Sequence, residues 1–120
     1  MADAYVTGFA EDLQAAAAIL KKHEARLGNN VQYQVLSAQL ALTLDRREEM
    51  KQAVERARAL DPDDPDTLLA SGYFRGDIES DIDGAIADLR RATEIAPGNA
   101  ENWNALALAL EAKDATLEAE

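Results

Sequence analysis

His23 is the only histidine of a 120-residue chain that contains no cysteine. A zinc site needs several nitrogen or sulfur donors, and general-base catalysis needs a partnered imidazole in a pocket. Neither is visible around His23, which reads as a helix residue. Glu79-Ser80-Asp81-Ile82-Asp83-Gly84 copies the opening of a D-x-D-x-D-G calcium loop. The twelfth position, where a bidentate Glu is required, is Arg90, and the ninth is Ala87, so a solvated turn between helices is the better reading. No glycine-rich phosphate loop, Ser/His/Asp arrangement or G-x-S-x-G is present. Arg46, Arg47, Lys51, Arg56 and Arg58 cluster, but Glu48, Glu49 and Glu55 are interleaved with them as on a solvated helix face. No catalytic residue, metal site or cofactor is expected, and the chain reads as a non-enzyme.

The elements around these residues are helical. The composition is 48% hydrophobic and only 5% aromatic, as in closely packed helices. A first helix is predicted over 10–27, with Leu13, Ala16, Ala17, Leu20 and Leu27 on one face and Gly28-Asn29-Asn30 as the stop. A second spans 31–44, with apolar Val35, Leu36, Leu40 and Leu44 beside small Ser37, Ala38 and Ala41. A third spans 48–60, with Met50, Ala53, Val54, Ala57 and Leu60 inward. Asp64 can cap a fourth helix over 65–75, with Pro65 at its first position. A loop over 76–81 then leads to a fifth helix over 82–95. The sixth is expected over 100–113, with a frayed tail from Asp114 to Glu120.

Pro62 and Pro97 close two of these helices and lie 35 residues apart. In a weaker third copy, Leu27-Gly28-Asn29-Asn30-Val31 stands in register with Ala96-Pro97-Gly98-Asn99-Ala100. Recurrence at about 34 residues marks stacked helix pairs, each too small to bury its apolar face alone. The proline spacing implies one extra residue, most easily placed in the loop over 76–81.

Trp103, Leu106, Ala107 and Leu110, together with Ala85, Leu89, Ala92 and Pro97, carry a resemblance to the tetratricopeptide repeat family, W-x2-L-G-x2-Y then A-x3-F-x2-A and a closing Pro. Met50, Val54, Ala57 and Pro62 are a looser copy, and Gly72 fits the small first-helix position. The resemblance implies an all-α fold, an α-α superhelix of antiparallel helix pairs in one domain. It would hold a partial repeat at about 10–28, repeats at 31–62 and 65–97, and the first helix of a further repeat at 100–113. Small Ala38, Gly72, Ala85 and Ala107 would let helices approach closely, and Trp103 would pack against the preceding repeat.

The resemblance further implies a concave groove lined by first helices. By register its residues are Gln32, Val35, Gln39, Leu42 and Thr43, then Asp66, Leu69, Tyr73, Gly76 and Asp77. Glu101, Asn104, Leu108 and Glu111 complete it. The partner-binding set expected from these is Gln39, Asp66, Leu69, Tyr73, Asp77, Glu101, Asn104 and Leu108. Family members that clamp acidic chaperone tails carry Lys, Arg and Asn there; this chain has Asn104 but no groove Lys or Arg, which disfavours that ligand class.

The net charge of -11 opposes nucleic acid and anionic membranes as partners. The longest apolar stretch, Leu13 to Leu20, is too short to span a bilayer, and the start lacks a basic n-region, so a cytoplasmic protein is expected. The leading expectation is a protein–protein interaction module for a basic or mixed apolar and basic peptide. Two others are a self-associating scaffold, using the uncovered side of the sixth helix unless Leu117 folds back over it, and the recruiting domain of a longer enzyme.

Overall fold

The computed structural model describes the backbone of residues 2–119 and the side chains of residues 11–115. It is all-helical, with no strand among the described residues. Two compact units divide the chain, Met1–Leu60 and Asp61–Glu120.

The first unit contains α1 (Ala2–Lys22), α2 (Glu24–Leu27), α3 (Val31–Thr43) and α4 (Arg47–Leu60). The single helix expected over 10–27 is interrupted at His23, whose ψ of 7° lies off the helical value. Helix α3 bonds to backbone acceptors on either side of this interruption. The Tyr33 hydroxyl donates to the Leu20 carbonyl, and Gln34 Nε2 donates to the Gly28 carbonyl at 2.8 Å. Asn30 caps α3 by accepting from the Tyr33 N–H at 3.2 Å. Helices α3 and α4 pack over Val35, Ala38, Ala41, Met50, Ala53, Val54 and Ala57, all buried. Leu60, expected to face inward, is exposed instead, as is apolar Leu36. Tyr33 and Gln34 take buried positions on α3, where both find the hydrogen bonds just described.

The second unit contains α5 (Pro65–Tyr73), a π-helical turn (Phe74–Ile78), α6 (Ile82–Ile95) and α7 (Ala100–Ala119). Asp64 caps α5 through the Thr67 N–H at 3.0 Å, with Pro65 at the first turn as expected. The loop expected over 76–81 is largely replaced by the π turn, closed by Glu79 N–H to the Phe74 carbonyl at 3.1 Å. A π turn holds one residue more than an α turn, and this accommodates an extra residue without an extra loop. Ser80 follows at φ 56°, a left-handed backbone in a non-glycine residue. Asp81 then caps α6 through the Gly84 N–H at 3.0 Å.

Leu69, Ile86, Leu89, Ala105 and Leu106 form the core of this unit, with Tyr73, Ile82, Ala109 and Leu110 packed against it. Gly72 marks the close approach of α5 and α6: a Cβ there would lie 2.8 Å from the Leu89 side chain. A polar bridge joins the same helices, with the Ser71 hydroxyl donating to Asp88 at 2.6 Å and Arg75 paired with that carboxylate at 3.4 Å. The frayed tail expected after Lys113 is a continuation of α7 to Ala119. Leu117 lies outside the described side chains.

Candidate protein-binding surface

Tyr73 sits where α5 passes into the π turn, half-buried, its ring against the core of the second unit. Its phenol is held above the usual tyrosine range, first by burial and then by the nearby carboxylates of Glu101 and Asp77. The structure therefore brings together three sequence-predicted residues from α5, the π turn and α7. Both carboxylates are exposed, and no Lys or Arg pairs with either one among the described residues. Asn104 and Leu108 are exposed three and seven positions beyond Glu101, which places them on the same face of α7. Leu108 leaves 54% of its surface open. Asp66 is half-buried in the first turn of α5 and also forms no ion pair among the described residues.

Leu69 does not belong to this surface. It is 1% exposed and central to the core, so its place on the same α5 face as Tyr73 turns it beneath the surface and not onto it. Val35 is likewise buried in the first unit. Gln39 is exposed on α3 of that unit. Trp103, expected to pack against the preceding helices, is 50% exposed, its indole N–H donating to the Pro97 carbonyl at 2.8 Å. Ala107, expected at a close helix approach, is exposed because among the described residues no helix packs over that side of α7.

Charge is divided unevenly between the units. Residues 1–60 carry eight acidic and eight basic side chains, whereas residues 61–120 carry fifteen and four, so the whole excess of -11 belongs to the second unit. This signal was available in the sequence once the division point was known. Within the second unit Asp63, Asp83 and Asp88 are neutralised by Arg91, Lys113 and Arg75. Asp77 and Glu101 are not paired with any described cation.

Other features do not build a site. Among the described residues no group of acidic, His or Cys side chains could hold a metal ion. In the calcium-like segment Asp81 is spent on capping and Asp83 on Lys113, at 2.9 Å. A half-open cavity of about 300 Å³ lies between α1, α3 and α4, floored by Ala17, Ala41 and Ala53 and lined by the ion pairs Arg56–Glu24 and Arg46–Glu49. The Asn102 side-chain amide is fully buried on the core side of α7 without a hydrogen-bond partner. No described helix is long and apolar enough to cross a membrane. Comparison with protein families and with curated proteins finds no match.

Proposed function

We propose that this chain is a protein-interaction module of tetratricopeptide-like design, which binds a basic, partly apolar peptide segment on the face made by Tyr73, Asp77, Glu101, Asn104 and Leu108. The observation that carries this reading is a half-buried aromatic ring within electrostatic reach of two carboxylates that pair with no cation among the described residues. A Lys or Arg side chain fits such a place twice over, through the carboxylates and across the ring. Leu108 offers adjoining apolar surface for a flanking side chain. Long-range attraction by the excess charge of the second unit would speed the encounter.

Fluorescence anisotropy with a labelled peptide of alternating Lys and Leu, against the same peptide with Glu for Lys, tests the reading. The Lys form binds, more weakly as salt rises, and Asp77→Asn with Glu101→Gln slows its association. Equal affinity for both peptides, or a double variant that binds as fast as the wild type, refutes it.

A further inference from the structure

The register of the sequence repeat assigns each helix a role. Helices α3 and α5 are first helices; α4 and α6 are the second helices that pack on them. In that register α1 is a second helix, and its Ala16 and Leu20, with His23 just past its end, correspond to Met50, Val54 and Ala57 of α4 and to Ala85, Leu89 and Ala92 of α6. All six counterparts are buried, whereas Ala16, Leu20 and His23 are half-buried. Ile19 corresponds to Ala53, which is buried, and to Asp88, which bonds to α5; on α1 it is 59% exposed. Helix α7 is the converse case. Trp103 and Ala107 stand at the positions of Gln34 and Ala38 in α3 and of Leu68 and Gly72 in α5, all buried. On α7 both are exposed. The described chain therefore presents two unlike halves of one recurring interface.

We propose that copies of this chain associate head to tail, α7 of one copy packing on α1 of the next and completing the kind of pair that α3 with α4 and α5 with α6 form within the chain. Ala107 provides the small residue for close approach, as Gly72 does against Leu89. In the same register Ala107 meets Leu20, and Trp103, held by its bond to the Pro97 carbonyl one turn earlier on α7, meets the His23 end of α1. Charge selects this arrangement over a two-fold dimer on α7. The dimer would press together two units that each hold the full excess of -11, whereas head-to-tail contact sets that unit against one with balanced charge. In an antiparallel pair Glu101 also comes to the end of α1 that carries exposed Lys21 and Lys22. A contact between unlike surfaces leaves one of each open, so it propagates into an open stack or closes as a ring.

Sedimentation of the full chain over a wide concentration range, with Ala107→Glu and Ile19→Glu, tests this. Both positions are exposed, so far-UV circular dichroism of the variants should match the wild type. The wild type is expected to exceed dimer mass as concentration rises. Each variant alone is expected to weaken association about tenfold or more, because a carboxylate would be buried without a partner. An equimolar mixture is expected to form a one-to-one dimer and stop there, since each variant keeps the half that the other lacks. A wild type that stays monomeric at the highest concentration overturns the proposal. So does Ile19→Glu forming its own dimer, or a mixture that stays monomeric.

Discussion

Gly72 offers a quantitative test of how α5 and α6 are held. Replacing glycine by alanine inside a helix ordinarily stabilises by about 0.8–1 kcal/mol. At Gly72 the new Cβ would sit 2.8 Å from both Cγ and Cδ2 of Leu89 and 3.3 Å from Cδ1. Leu89 is buried in the core cluster and cannot move aside freely, so overpacking of about 1–3 kcal/mol opposes the gain. Gly72→Ala should therefore destabilise by roughly 0–2 kcal/mol after the two effects are combined. Gly76 supplies the control in the same unit. A Cβ there would meet only the Ala85 Cβ at 3.5 Å, an ordinary contact, and Gly76→Ala should be neutral or stabilising by up to about 1 kcal/mol. Urea unfolding followed by the fluorescence of Trp103, the single tryptophan, reports on this unit, with circular dichroism as the helix signal. The two variants should move the midpoint in opposite directions. If Gly72→Ala gains as much as Gly76→Ala, the close approach of α5 to α6 is wrong.

Asp88→Ala should cost about 2–3 kcal/mol, because it leaves the buried Ser71 hydroxyl and the half-buried Arg75 without their shared acceptor. Asp88→Asn should recover part of that loss in the same urea titration, since it restores an acceptor for Ser71. Ser80→Gly should stabilise by up to about 1 kcal/mol by removing a side chain from a left-handed backbone; a fall in melting temperature would contradict this. Ionisation of Tyr73, read as phenolate absorbance against Tyr73→Phe, should lie above the ordinary value and drop towards it in Glu101→Gln. The sign follows from a folded-state value raised above the unfolded one. The contribution to stability is complete below pH 10 and is lost as pH rises through the folded-state value.

Helix positions were legible where capping and periodicity agreed. Asp64-Pro65 and Asp81 mark starts that the backbone needs, and α6 runs over the residues its apolar spacing requires. The break at His23 carried no such mark, because no proline or glycine occurs there and the side-chain bond beside it, from the Tyr33 hydroxyl to the Leu20 carbonyl, comes from another helix. The π turn was hidden for a related reason: the proline spacing disclosed one extra residue but not whether a loop or a widened turn would absorb it. Within the candidate surface Asp77 and Glu101 both act electrostatically on the Tyr73 phenol. The register failed at Leu69, since positions four apart on α5 share a face but differ in depth once α6 and α7 close over one end of it.

That difference in depth bears on how a partner would act on the protein. The Tyr73 ring rests on the core formed by Leu69, Ile86 and Leu89, while its phenol feels the charge of Glu101 and Asp77. A ligand that clamps the ring would therefore also restrain the junction between α5 and the π turn, and binding to the folded state alone raises its stability by mass action. Tyr73→Phe keeps the packing and removes only the hydroxyl, whereas Tyr73→Ala removes both. Loss of ligand-induced stabilisation in the alanine variant alone would assign the contact to the ring. Loss in both would assign it to the hydroxyl, and loss in neither would move the partner away from Tyr73 altogether.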